Sequence, residues 1–306
     1  MRRFLASSVL PPGRLGRRLP GVIVVITAIS AAVGVAQDAG ARFSTRVQAV
    51  EVYATVTDAA GEPVTGLLAS DFAIEDEGEA QTISTFAEGS FPLTVALGVD
   101  RSLSMAGEPL RLARRAAQSF LEQLQPGDRS MVVAINSAAD IIAPLGTARD
   151  EQREAVAGLD AWSTTALRDA LVTTLDRLEP EAGRQALVVF SDGVDRYSRT
   201  DAASMVARAS RSQALVYPIV LGRGSAPALA EVAAQTGGRA FVIRDARTLE
   251  PTLGRIAREL RHQYLLGYVP AAPGGSRWHP IRVRVAAAAS GRWSVRARSG
   301  YLAQER

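Results

Sequence analysis

The sequence predicts an α/β fold: a doubly wound, largely parallel sheet inserted into a small β-sandwich formed by the N- and C-terminal strands. Three observations predict it. Residues 94–99 and 186–190 are uncharged, almost wholly apolar runs, the pattern of strands buried on both faces. Between and after them, stretches with helical spacing alternate with short strand-like runs, the rhythm of an α/β domain. On either side of that region the pattern changes to apolar/polar alternation of period two, which marks half-buried strands.

Taken in order, residues 47–57 (VQAVEVYATVT) alternate as a strand, 58–62 are turn chemistry, and 72–76 and 82–86 read as further short strands. After the run at 94–99, ending in Asp100, residues 110–124 place Leu112, Ala116, Phe120, Leu121 and Leu124 on one helical face. Strands over 131–135 and 141–144 follow, then helices over 151–159 and 166–178, and the buried run 186–190 ending in Ser191-Asp192-Gly193. A helix at 202–209, strand at 215–220, helix at 227–235, strand at 240–243 and helix at 249–261 complete the series. Residues 264–269, 281–285 and 295–298 return to strands, with a Pro/Gly-rich turn over 270–275. The resulting division is 1–36 leader, 43–90 N-terminal β segment, 91–262 α/β domain and 263–306 C-terminal β segment, the two β segments packing together.

Composition narrows the chemistry. With 47% apolar and 22% charged residues in 306, the chain is neither disordered, collagen-like nor a multi-span membrane protein. It has no cysteine, so disulfides, thiolate zinc and cysteine nucleophiles are excluded. All 35 basic residues are arginine, which excludes Schiff-base chemistry and a P-loop lysine. The two histidines, His262 and His279, do not make a histidine-rich metal site, and both read as surface or packing residues of the returning strands. H-E-x-x-H and G-x-S-x-G are absent.

The formal charge of +4 belongs mostly to the leader: residues 1–36 hold five arginines and no acid, leaving 30 arginines against 31 acids. That distribution argues against nucleic acid. Within 1–36, a basic stretch ends at Arg17-Arg18, an uncharged run spans 21–36, and Gly34-Val35-Ala36 supplies the small residues that a signal peptidase reads. A cleaved signal peptide with the mature chain starting at Gln37 is expected; an uncleaved N-terminal anchor is the alternative. Either places the body outside the cytoplasm, periplasmic or extracellular, with any membrane contact through that segment.

The chemistry-bearing residues sit where the two most buried strands end. Asp100-Arg101-Ser102-Leu103-Ser104 follows the first and Ser191-Asp192-Gly193 the second. In an open α/β sheet, ligands bind outside the carboxyl ends of strands, where strand order reverses. Carboxylates and hydroxyls meeting there make an all-oxygen site, suited to magnesium, calcium or manganese. The spacing predicts that Asp100 and Asp192 face a solvated loop crevice.

The run Asp100-x-Ser102-x-Ser104 resembles the D-x-S-x-S opening of von Willebrand factor type A (VWA) domains, their metal-ion-dependent adhesion site (MIDAS). The threonine of that family's second loop is matched by Thr165 in Ser163-Thr164-Thr165-Ala166-Leu167, with Thr164 the competitor, and its final aspartate by Asp192. The flanking strands look like the secreted bacterial VWFA-related subgroup. Two positions depart from the family: Leu103 stands between the serines where a small residue is usual, and Ser163-Thr164 replace two glycines. The resemblance implies a metal set of Asp100, Ser102, Ser104, Thr165 and Asp192. It also implies a divalent cation, Mg2+ first and Mn2+ or Ca2+ next, and capture of a partner protein's Asp or Glu carboxylate.

The expectation is therefore an exported, non-enzymatic adhesion or scaffold protein of the bacterial envelope. The alternatives are a metal-free structural module and, less favoured, a metal-dependent hydrolase or phosphotransferase. The basic C-terminal segment, ten arginines against two acids from Leu253 onward, is expected to be strand surface. Arg282, Arg284, Arg296 and Arg298 would then be solvated, within reach of acids of the N-terminal block.

Overall fold

Apolar strands with no polar face are covered on both sides in the computed structural model, which describes residues 49–303 apart from 223, 225, 271–276 and 287–291. The leader expectation lies outside the described residues. Among the described residues, no helix is long and apolar enough to cross a membrane.

The chain opens with β1 (Val50–Asp58), β2 (Phe72–Asp76), β3 (Glu79–Gln81) and β4 (Ile83–Gly89). The α/β region then runs β5 (Leu93–Asp100), α1 (Glu108–Glu122), β6 (Arg129–Ile135), β7 (Ala139–Ala143), α2 (Arg149–Ala157), α3 (Leu167–Leu178) and β8 (Arg184–Ser191). It continues through α4 (Ala202–Arg211), β9 (Leu215–Leu221), α5 (Pro227–Thr236), β10 (Phe241–Ile243) and α6 (Leu249–Arg261). Four strands return: β11 (Gln263–Tyr268), β12 (Trp278–Val285), β13 (Trp293–Arg296) and β14 (Gly300–Leu302).

The central sheet has the order β10-β9-β8-β5-β6-β7. Its pairs are parallel except β6–β7, which is antiparallel. Every residue of β5, β8 and β9 is buried, because helices cover both faces. On one side Leu93, Val95, Leu97 and Val99 meet Phe120 and Leu121 of α1 and Leu253, Ile256 and Leu260 of α6. On the other, Val189, Leu187 and Ala96 meet Leu171 and Leu175 of α3, Met205 of α4 and Val232 of α5. Each fully buried large side chain contributes about 1.5–3 kcal/mol over its exposed state. Two such layers rigidly fix the strand ends that carry the site. The order reverses between β5 and β8: the chain leaves β5 for β6 and β7 on one side, then returns to β8 on the other.

The flanking strands form two antiparallel sheets, β13-β1-β11-β4 and β14-β12-β2-β3. β1 pairs with β11 from Val50↔Tyr268 to Ala54↔Tyr264 and with β13 from Thr55↔Arg296 to Asp58↔Trp293. β2 pairs with β12 from Ile281↔Asp76 to Val285↔Phe72. Val50, Val52, Ala54 and Val56 share a core with Phe72, Ile74, Leu266, Tyr268 and Ile281. N- and C-terminal strands thus make one β module around the inserted α/β sheet.

The basic strands depart in part from expectation. Arg282 and Arg284 are exposed, and Arg284 Nη2 lies 3.2 Å from Glu75 Oε2 across the β2–β12 pair. Arg296 and Arg298 are only partly exposed and are engaged by protein. Arg296 Nη2 sits 2.7 Å from Oε2 of Glu259, a fully buried carboxylate of α6, and its Nη1 donates to the Gly238 carbonyl at 3.0 Å. Arg298 Nε donates to the Gly300 carbonyl at 2.9 Å, and its guanidinium lies 5.7 Å from the Tyr301 ring centre. The reason is that β13 ends at Arg296 and packs against the turn between α5 and β10, so the alternation there faces protein. His279 is a packing residue, 2% exposed and stacked on Tyr301 with ring centres 4.9 Å apart.

Candidate metal centre

Asp100 is the last residue of β5 and Asp192 the first after β8, the two strands between which the order reverses. Sheet pairing continues one step beyond Asp100, since Arg101 N donates to the Ile135 carbonyl at 2.9 Å. The chain then turns through a 3-10 segment, Leu103–Met105, and Met105 is drawn fully into the core. That anchor holds the flanking serines in place, with Ser102 Oγ and Ser104 Oγ 3.1 Å apart. The backbone N–H of Ser102 donates to Asp100 Oδ1 at 2.9 Å.

The Asp100 side chain is fully buried, which corrects the expectation of a solvated crevice for this residue; Asp192 is partly exposed. Burial raises the Asp100 carboxyl above its ordinary value, hydrogen bonds from Ser102 and Ser191 work against it, and the neighbouring Asp192 carboxylate raises it again. The strand end accounts for the difference: Asp100 still lies within the sheet, where β6 and β8 wall it in, whereas Asp192 stands just beyond its strand.

Three loops are laced together around these two carboxylates. Leu103 N donates to the Ser163 carbonyl at 3.0 Å and Trp162 N to the Arg101 carbonyl at 2.6 Å, joining the first loop to the second. The Thr165 carbonyl accepts from Arg196 N at 3.2 Å and Tyr197 N at 3.1 Å, joining the second to the third. Ser191 Oγ donates to Asp100 Oδ2 at 2.6 Å and accepts from Gly193 N at 3.0 Å, joining the third to the first. Thr165 is buried and Thr164 only partly so. Thr165 belongs to the bundle through its backbone; among the described residues no hydrogen bond links its hydroxyl to the other four predicted residues. Ser163, standing where a glycine was expected, takes the left-handed φ of 65°.

Several positioning residues are not visible in the D-x-S-x-S pattern. Ser191 bridges to Asp100 across the strand order. The Asn136 carbonyl, at the end of β6, accepts from Ala166 N at 2.7 Å and fixes the start of α3. The Asp195 carboxylate accepts from Arg168 N at 2.7 Å, capping α3 from another loop, and Asp169 accepts in return from Arg199 N and Thr200 N at 2.9 Å each. Only Asp195 carried a signal, an acid a few residues beyond the strand end.

The donor set fits a hard dication. Its side chains offer oxygen alone, two carboxylates and three hydroxyls. Among the described residues neither Asp100 nor Asp192 has an ion-pair partner, although Asp100 is buried beside a second acid. A buried, unpaired carboxylate is costly unless a cation neutralises it. Among the described residues there is no cluster of three or more His, Asp or Glu side chains able to hold a metal, so this mixed acid-hydroxyl set stands by itself.

Comparison with known proteins gives the class. Residues 95–194, about a third of the chain, match the family model described as von Willebrand factor type A domain. Among solved structures it is similar to a von Willebrand factor type A protein from Catenulispora acidiphila, at 16% identity over 79% of this chain and 71% of that one, with a TM-score of 0.49. It is also similar to the conserved hypothetical protein BatB from Bacteroides thetaiotaomicron, at 14% identity over 55% of this chain and 98% of that one, TM-score 0.45. The vWF domain of the type V pili tip protein Mfa5 from Porphyromonas gingivalis is 11% identical over 55% of this chain and 95% of that one, TM-score 0.47. No curated protein matches the chain.

Proposed function

We propose that this protein is an exported, divalent-cation-dependent protein-binding module, in which Asp100, Ser102, Ser104, Thr165 and Asp192 hold the ion, Mg2+ in the first instance. The observation that carries the reading is the buried Asp100 carboxylate beside Asp192 with no cationic partner, at the point where strand order reverses. Two carboxylates and three neutral hydroxyls would balance the charge of a dication without filling a six-fold oxygen shell, leaving an open coordination position for a carboxylate oxygen from an Asp or Glu of a partner protein. The protein's own residues do the rest. Ser191 and the Ser102 N–H orient the Asp100 oxygens, Met105 anchors the serine turn, and the interloop hydrogen bonds keep the three donor loops in register.

Binding is favoured over hydrolysis because a metal-activated water needs a proton acceptor of suitable basicity nearby. His262 and His279, the two histidines of the chain, lie at the end of α6 and in β12, away from the donor loops. The setting we propose is the cell envelope, reached through the leader. Sequencing of the mature N-terminus is expected to give Gln37; an intact Met1 chain in the membrane fraction favours the anchored form, and a cytoplasmic pool contradicts export.

The test is capture of partners from an envelope fraction on immobilised protein, in magnesium and again in chelator, with Asp192→Ala as the matched bait. The reading predicts a protein retained by the parent in magnesium and lost in both other arms. Equal retention by Asp192→Ala overturns it.

A further inference from the structure

Three large apolar side chains stand out in solvent on the face that carries the candidate metal centre: Leu103 at 65%, Trp162 at 65% and Tyr197 at 60% exposure. Each belongs to a different donor loop. Leu103 lies between Ser102 and Ser104, Trp162 three residues before Thr165, and Tyr197 five residues after Asp192. Their backbones are tied together where the loops meet: Trp162 N to the Arg101 carbonyl, Leu103 N to the Ser163 carbonyl, and Tyr197 N to the Thr165 carbonyl. The interloop bonds involve these residues or their immediate neighbours, so the three side chains leave from loops that are bonded to one another.

Apolar surface with a polar rim marks contact sites, and tryptophan and tyrosine are enriched at them. The exposed charges of the same loops are even, Arg196 and Arg199 against Asp160 and the α4 cap Asp201, so the rim itself does not repel an acidic partner. Leu103 gains a role here. It departs from the small residue usual between the serines, yet it fills no core; the turn is anchored by Met105, and Leu103 is left free to touch something else.

We propose that Leu103, Trp162 and Tyr197 form an apolar collar around the metal centre, and that the partner is an acidic peptide segment carrying an aromatic or aliphatic residue within about two positions of its metal-bound Asp or Glu. The proposal rests on the metal-dependent reading above and adds the partner's chemistry to it. The carboxylate supplies the charge-dependent part of binding, and the collar supplies the apolar contact that separates one acidic segment from another. Trp and Tyr are the residue types that most often dominate such contacts, each worth tenfold or more in affinity when centrally placed.

The probe is a library of displayed dodecapeptides with a fixed central Asp or Glu and random flanks, selected against the full chain in magnesium. Enriched peptides are then measured against the parent, against Trp162→Ala and Tyr197→Ala, against Leu103→Ser, and in chelator. Magnesium affinity is measured separately on every variant by calorimetry. These positions are exposed, so the variants fold as the parent does. The expected result is enrichment of Trp, Phe, Leu or Ile next to the acid, loss of at least about tenfold in peptide affinity for Trp162→Ala, and unchanged magnesium affinity. Metal-dependent acidic peptides with random flanks, or peptides that bind Trp162→Ala as well as the parent, overturn the collar and leave the metal reading standing. Peptide binding that survives chelator overturns the metal reading and the collar with it, as does failure of magnesium to bind the parent. A library from which nothing is enriched, on a parent that does bind magnesium, overturns the collar alone.

Discussion

Asp100 is the residue on which the site turns, because it is buried, acidic and held by two donors, the Ser102 N–H and the Ser191 hydroxyl, the second of which turns from donor to acceptor when an amide replaces the carboxylate. Asp100→Asn keeps an oxygen for the Ser102 N–H and an amide that donates to Ser191 Oγ. The metal-free variant is therefore expected to be as stable as the parent. It should lose the gain the parent shows in magnesium, about 2.7 kcal/mol when the ion is at a hundred times its dissociation constant. Thermal melts with and without magnesium check this, and a variant that still responds to magnesium contradicts the assignment of Asp100. Ser163 tests the loop itself. A non-glycine residue at φ 65° is strained, so Ser163→Gly is expected to stabilise the protein by about 1 kcal/mol without weakening magnesium binding, as read by urea melts and calorimetry. At this scale the acid-and-hydroxyl spacing was legible, since Asp100, Ser102 and Ser104 lie within five residues. The support from Ser191, 91 residues away, was not, because it exists only once β5 and β8 are neighbours. The burial of Asp100 was hidden for the same reason: it depends on β6 and β8 flanking the end of β5.

Among the elements, the crossings between β module and α/β region are held by two charged residues that periodicity does not reveal. Asp128, before β6, accepts from Leu93 N at 3.1 Å and Gln125 N at 2.7 Å and pairs with Arg261 at the end of α6, so it grips both entry and exit of the inserted region. Arg184, fully buried at the start of β8, donates to the Phe91 carbonyl at 2.6 Å and to the Leu260 carbonyl. Burial pushes Asp128 up, but Arg261 and the N–H groups of Gln125 and Leu93 outweigh it and hold the carboxyl below its ordinary value. A lowered native value means that the unfolded chain binds the proton first as pH falls. The stabilisation is therefore complete well above the ordinary carboxylate value of about 3.9 and is lost as pH drops through the lowered one. Asp128→Asn is expected to cost about 3 kcal/mol at neutral pH, with the gap to the parent narrowing toward about pH 2. Urea melts at both values decide it, and a gap independent of pH contradicts the ion-pair account. The helices and buried strands were legible because their patterns are local. Antiparallel β7 and the inward-facing Arg296 and Arg298 were not, since they depend on which neighbour each strand meets.

For the whole molecule, the arrangement is an inserted α/β domain whose two β flanks complete each other. Removing residues 264–306 strips β11 and β13 from β1 and uncovers Val50, Val52, Ala54 and Val56. The truncated chain is expected to aggregate, as seen by size-exclusion chromatography, because bare strand edges and apolar faces associate. A soluble truncation with an unchanged melting profile contradicts the shared core. The period-two patterning at both ends made this arrangement legible, whereas the pairing of β1 with both β11 and β13 required the register. The central claim is that the strand-order reversal in the region similar to VWA domains holds a divalent cation through two aspartates. Its most direct measurement is calorimetric titration of magnesium into the parent and into Asp192→Ala. The account predicts one site per chain in the parent and no binding heat in the variant. Equal binding by both, or none by the parent, contradicts it.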